Sequence, residues 1–94
     1  MPIFAVHYSY ADSAAPGRDE HRPRHRGWLY DLVEKGVVLS TGPYPDGSGA
    51  LILFRAENAA TMERLLAEDP FAQHDLIADK RFVEWTPVMG TFSE

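Results

Sequence analysis

His25 is the side chain whose setting best suits proton transfer at neutral pH, because an imidazole exchanges its proton close to pH 7. If a helix begins near Pro23, His25 shares one face with Leu29 and Leu32, and the ring points inward at the first turn. An inward histidine needs partners for its ring nitrogens. The position therefore fits two interpretations, a structural, hydrogen-bonded histidine or a member of a site.

Arginines surround this histidine within a stretch of nine residues: Arg18, Arg22, Arg24 and Arg26. Guanidinium groups near a helix N-terminus can hold an anion, helped by the free backbone N–H groups. Two acidic residues lie among them, so a solvated loop of mixed charge is the alternative. Arg24 and Arg26 flank an inward His25 and should face outward or sideways, which makes Arg18 and Arg22 the stronger candidates.

Three further polar residues stand next to turn-forming sequences. Asp69 is followed by Pro70-Phe71, which on spacing alone is typical of a helix stop with an apolar anchor. Asp46 lies in a Gly- and Pro-rich turn, where aspartate is most simply a turn former. Thr41 could supply a polar contact in a cleft, although the surrounding residues contain no nucleophile elbow and no phosphate-binding glycine loop.

A metal site is not expected. His21 and His25 are four residues apart, but a zinc site needs three protein ligands, and the chain has no cysteine. Pro23 between the two histidines predicts that His21 lies before the helix. We therefore expect no metal.

Composition restricts the class of protein. The 94 residues, 45% hydrophobic and 24% charged, predict one globular domain over residues 1–94. Nine basic and fourteen acidic residues give a net charge of −5, which disfavours nucleic-acid binding. No apolar run approaches the roughly 18 residues of a membrane span, and the N-terminus does not have the pattern of a signal peptide. We expect a cytoplasmic protein without nucleic-acid or membrane partners.

The elements that must position these residues alternate between strand and helix. Period-two patterns predict strands at 3–10, 37–41, 50–54 and 81–85, and a loop is expected at 11–20. Helical patterns with their cap residues predict a helix from Pro23 to the C′ residue Gly36 and a second helix that is capped by Asn58 and ends at Asp69-Pro70. A short turn is expected within 71–77.

This βαββαβ order predicts an α+β, ferredoxin-like fold, in which a four-stranded antiparallel sheet carries two helices on one face. His7 should point away from the main core. The other face of the sheet would be left bare, and a monomer rarely exposes such a patch. We therefore expect a homodimer that pairs across this face, as in dimeric α+β barrels.

In order and spacing the sequence resembles the YCII-related (YciI-like) family over nearly its whole length. The residues that carry the resemblance are Arg18-x-x-x-Arg22-Pro23-x-His25-x-x-x-Leu29, then Gly36, Thr41-Gly42-Pro43 with Asp46, and Asp69-Pro70-Phe71. The resemblance implies the dimeric α+β barrel fold, which agrees with the element order. It also implies a His–Asp pair in a cleft, formed here by His25 and Asp69.

The resemblance further implies a small-molecule enzyme that needs no cofactor. A relative removes chloride from a chlorinated hydroxyquinol, and fold relatives isomerise small lactones. His25 would then be the general base or acid and Asp69 its orienting partner, with Arg18, Arg22, Thr41 and Asp46 binding an anionic or phenolic substrate. Arg26 departs from the family, which usually has an apolar residue there. The alternative is a non-catalytic module that binds a small ligand or a partner chain.

Overall fold

The computed structural model describes residues 1–93. Its regular elements are β1 Ile3–Ser9, α1 Ala15–Glu34, β2 Val38–Pro43, β3 Gly49–Arg55, α2 Ala59–Ala67, α3 Pro70–Gln73 and β4 Asp79–Trp85. The predicted βαββαβ order is confirmed, and α3 is the short additional turn expected near residues 71–77. Among the described residues, no helix is both long and apolar enough to cross a membrane.

The strands form one sheet in the order β2-β3-β1-β4, and each neighbouring pair is antiparallel. This is the ferredoxin-like arrangement predicted from the sequence. Gly49 pairs with Ser9 at the start of β3, and a Cβ there would lie 1.9 Å from the backbone oxygen of Tyr8. Glycine is therefore required for β3 to approach β1 at this point.

The core lies between one face of the sheet and the two longer helices. Because side chains alternate along a strand, β1 and β3 each present every second residue to it. The fully buried side chains of this layer include Val6, Tyr8, Ile52 and Phe54 from the sheet and Met62 and Leu66 from α2. Leu29 and Leu32 of α1 complete the same cluster, so α1 and α2 cover one face together, as predicted.

Helix α1 begins eight residues earlier than predicted, and the loop expected at 11–20 is wrong. A 3₁₀ turn at Asp12–Ala14 leads into the helix, with Pro16 in the first turn and Pro23 inside it. Tertiary contacts outweigh the helix-breaking residues: the extra turns place Gly17 against Leu76, which follows α3.

The helix ends follow the predicted capping residues. Gly36 has φ of +76° and stands at C′ of α1, where the N–H groups of Gly36 and Val37 bond the carbonyls of Val33 and Leu32. Asn58 caps α2 by accepting from the backbone N–H of Thr61 at 2.9 Å. The cap residues therefore fix the lengths of both connections to the sheet.

The second face of the sheet carries no helix. Ile3, Ala5 and His7 of β1 lie on it, and the register places Leu51 and Leu53 of β3 and Val83 and Trp85 of β4 beside them. Val83 is 48% exposed and Trp85 is 40% exposed. Because Ile52 and Phe54 belong to the core, Leu51 and Leu53 are the members of β3 that point away from the helices.

Candidate active site

A cleft of about 680 Å³ lies between α1 and the β2–β3 side of the sheet. Helix α1 contributes six lining side chains: Arg22, His25, Arg26, Leu29, Tyr30 and Val33. Aromatic rings from Tyr10 and Phe71 also line it, and Thr41, Gly42, Pro43 and Ala50 form the sheet side. The cleft has the size and the largely apolar lining that are typical of small-molecule sites.

His25 and Asp69 meet at the edge of this cleft. Nδ1 of His25 lies 2.7 Å from Oδ1 of Asp69, although the two residues are 44 positions apart in sequence. His25 is buried on α1, and Asp69 is fully buried at the N-cap of α3. The fold thus brings together the two residues that the family resemblance pairs.

Asp69 is held by three donors. Its Oδ1 accepts from the backbone N–H of Phe71 at 2.8 Å as well as from His25, and its Oδ2 accepts from the Tyr8 hydroxyl at 2.7 Å. A buried carboxylate with this many donors has a fixed position and a satisfied charge. Asp69 therefore both starts α3 and orients the imidazole.

The bond to Asp69 determines which nitrogen of His25 carries the hydrogen. An ionised carboxylate only accepts hydrogen bonds, so Nδ1 is the donor, and in the neutral ring Nε2 keeps its lone pair. Within residues 1–93, Nε2 has no hydrogen-bond partner and is not sealed from solvent. The Phe71 ring stacks on the imidazole with centroids 3.9 Å apart and planes within 5°. The ring is held in place with a free basic nitrogen.

Tyr8 belongs to this network and was not predicted as a site residue. Burial, followed by the negative charge of Asp69 and their hydrogen bond, raises the pKa of the Tyr8 phenol well above its usual range. Burial and the same carboxylate also raise the pKa of Tyr10 to about 12, although Arg18 and Arg22 oppose the change. Tyr8 is therefore a neutral donor to Asp69 at physiological pH.

The raised pKa of Tyr8 predicts a loss of stability at alkaline pH. The folded phenol keeps its proton above pH 10, which is about the pKa of a tyrosine in the unfolded chain. Its contribution to the free energy of unfolding is therefore complete below about pH 10 and falls as the pH rises. The free energy of unfolding should lose roughly 1 kcal/mol per pH unit through Tyr8 alone. Urea unfolding at pH 9, 10 and 11 should give a shallower slope for Tyr8→Phe. Equal slopes for both proteins would contradict this.

The expected substrate-binding residues divide into two groups. Arg22 and Thr41 line the cleft, and Arg22 also pairs with Asp19 one turn earlier on α1. Arg18 lies outside the lining: it is buried, donates to the carbonyl of Ala11 at 2.9 Å and stacks its guanidinium over Tyr10. The structure thus gives Arg18 a packing contact instead of a cleft position.

Asp46 also lies outside the cleft lining. It is exposed, and its Oδ1 accepts from the backbone N–H of Ser48 at 2.9 Å, which is the contact of a turn former. Hydrogen bonds from Ser48 hold the pKa of Asp46 below its ordinary value. Of the two arginines expected to face outward or sideways, Arg26 lines the cleft and Arg24 does not.

His21 is helical, which corrects the expectation that Pro23 would leave it before the helix. Its ring stacks on His74, with centroids 3.8 Å apart, instead of turning toward His25. In the part of the chain that the structure describes, no group of three His, Cys, Asp or Glu side chains is arranged to hold a metal ion.

Comparisons with known proteins add a family and a structural neighbour. The family model for the YCII-related domain matches residues 1–86. A solved structure of 5-chloro-2-hydroxyhydroquinone dehydrochlorinase from Burkholderia phenoliruptrix AC1100, in complex with 2,5-dihydroxybenzoquinone, is similar, with a TM-score of 0.78 and 19% identity. The match covers 89% of this chain and 93% of that one. Among curated proteins there is no match. Together with the element order and the sheet topology, the family match shows that this chain belongs to the YCII-related domain family.

Proposed function

We propose that this protein is a small-molecule enzyme that transfers a proton on a ring compound bound in the cleft, as an isomerase or a lyase. His25 is the general base and acid, and Asp69 orients it. The observation that supports this most directly is the Nδ1–Asp69 bond at 2.7 Å, which leaves Nε2 as a lone-pair acceptor beside a cleft of suitable size.

The chemistry needs only groups that the cleft supplies. Nε2 of His25 takes a proton from an O–H or C–H group of the substrate, and the electron pair left behind moves into the ring. In a lyase reaction that pair expels a leaving group such as chloride from a saturated carbon of the ring's keto tautomer, so the net loss is one proton and one halide ion. In an isomerase reaction the imidazolium returns the proton to another carbon. Asp69 stabilises the imidazolium, as a carboxylate partner does in other histidine bases.

Substrate binding is assigned to the polar groups of the lining. Arg22 can donate to a phenolate or enolate oxygen, and Thr41 can donate a hydroxyl hydrogen from the sheet side. Tyr10 and Phe71 can contact the face of a flat ring. The name of the structural neighbour, a dehydrochlorinase in complex with a dihydroxybenzoquinone, supports the lyase version and a ring substrate.

Proton exchange in deuterated buffer tests the proposal. The protein would be incubated with chlorinated hydroxyquinols, hydroquinones and unsaturated lactones, while NMR follows exchange of C–H protons and an electrode follows chloride. At least one compound should react with saturation kinetics. Tight binding of a compound without exchange or chloride release would favour the alternative, a ligand-binding accessory module that uses the same cleft.

A homodimer across the bare sheet face forms the second part of this proposal. The apolar side chains of that face extend over three strands, and a second copy of the chain would bury them by pairing face to face. Val83 and Trp85 remain substantially exposed in the single chain, which supports cover by a partner. Within residues 1–93, the Nε of Arg55 on this face is also buried without a hydrogen-bond partner.

Val83→Lys should separate the two copies, because a lysine within an apolar interface would be buried without a partner. Light scattering after size exclusion should give twice the chain mass of 10.6 kDa for the wild type and the single mass for the variant. Val33→Lys is the matched control, since Val33 is 44% exposed on the helix layer. A single mass for the wild type would exclude the dimer.

A further inference from the structure

The charge of the cleft lining is one-sided. Two of the lining residues, Arg22 and Arg26, are cations, and none of the lining residues in the described part of the chain is an aspartate or glutamate. The whole chain carries a net charge of −5, so the charge of this lining is opposite in sign to the net charge of the chain. A cleft with this sign favours anionic ligands.

The positions on α1 separate the two arginines from His25. Consecutive helix residues are rotated by about 100°, so the lining residues of α1 fall within an arc of about 140°. His25 lies at the inner edge of this arc, and Tyr30 and Arg26 lie toward the outer edge. A flat ligand that reaches from the imidazole to the rim therefore presents one end to His25 and the other to Arg26.

Arg26 differs from Arg22 in its partners. Arg22 is paired with Asp19, whereas Arg26 takes part in no ion pair or side-chain hydrogen bond among residues 1–93. No acidic residue stands three or four positions from Arg26 on α1. The two arginines are four residues apart on one helix, which places like charges next to each other. An anion at the rim would relieve this repulsion.

We infer that Arg26 is a specificity-determining residue, which selects ring compounds that carry a carboxylate in addition to the oxygen presented to His25. The identity of the reacting end of the ligand rests on the proposed function. Guanidinium and carboxylate form two parallel hydrogen bonds in one plane. The apolar side chains of Leu29 and Val33 lie between the two ends of the arc and would contact the ring. The substrate class is therefore a hydroxylated aromatic acid.

Binding of two matched probes tests this inference. Titration calorimetry would compare 2,5-dihydroxybenzoate with hydroquinone, which has the same hydroxylated ring without the carboxylate. Wild-type protein should bind the acid about tenfold or more tightly than hydroquinone, since a hydrogen bond to a charged group is worth about that factor. Arg26→Leu should lose this preference by weakening the acid alone, and Arg26→Lys should keep part of it.

Arg24→Leu is the matched control, because Arg24 is exposed on the same helix but does not line the cleft. It should bind both probes as the wild type does. Equal affinity of the wild type for both probes, failure to bind the acid at millimolar concentration, or an unchanged preference in Arg26→Leu would overturn the inference. Calorimetry measures binding and not turnover. If Arg26→Leu loses the preference for the acid but no compound exchanges protons, the inference about Arg26 holds and only the proposed function is overturned.

Discussion

His25→Gln is expected to lower the rate of proton transfer by about 10²- to 10⁴-fold, the usual contribution of a general base or acid. The glutamine amide occupies a similar volume and can still donate to Asp69, but it cannot take up a proton. Turnover should be measured on the best compound found by proton exchange or chloride release. The circular dichroism spectrum and the thermal midpoint should stay close to those of the wild type.

His21→Gln is the matched control for this substitution. His21 lies one turn earlier on the same helix, stacks on His74 and does not line the cleft. It should leave the rate within about twofold of the wild type, because it touches neither Asp69 nor a bound ligand. A His25→Gln variant that remains folded and retains the full rate would show that another group transfers the proton.

Asp69→Ala is expected to reduce the free energy of unfolding by about 3–5 kcal/mol, as removal of one member of a buried charged network does. The Tyr8 hydroxyl and Nδ1 of His25 would lose their acceptor inside the protein, and α3 would lose its N-cap. Small domains are stable by only about 5–15 kcal/mol. Urea unfolding should therefore show a midpoint lowered by about 2 M.

Two comparisons test whether this loss of stability is specific to the hydrogen-bond network of Asp69. Asp46→Ala removes an exposed turn residue and should cost less than about 1 kcal/mol. Tyr8→Phe should cost less in the Asp69→Ala background than in the wild type, because the phenol has then already lost its partner. Additive effects of the two substitutions would mean that Tyr8 and Asp69 do not stabilise each other.

Local patterns were sufficient to predict the order of strands and helices and the caps at Gly36 and Asn58. They failed at the start of α1, because Pro16 and Gly17 are typical of a loop and Pro23 suits the first turn of a helix. What overrides them is contact with residues distant in sequence, such as Leu76 after α3. A sequence pattern does not contain the packing energy of such contacts, and a helix start that depends on it cannot be placed from propensity.

The candidate site, like the fold, was predictable from the sequence only in part. The inward direction of His25 follows from helical spacing, but its pairing with Asp69 came from the family resemblance, since spacing favoured a simple helix stop. Tyr8 was missed, although a phenol on the core face of a strand must find a buried partner. The position of Arg26 at the rim depends on the cleft wall supplied by β2 and β3, which helical spacing alone cannot locate.

Helix α3 consists of a single turn, Pro70–Gln73, and a helix of this length is not stable by itself in water. It persists because Asp69 caps it and because Phe71 is buried against the imidazole. The same two residues hold His25, so the turn cannot unwind without releasing the histidine. Local opening of this one turn would therefore remove the Asp69 hydrogen bond and the Phe71 stacking from His25 together, so the fraction of molecules with an oriented imidazole depends on the folding equilibrium of four residues.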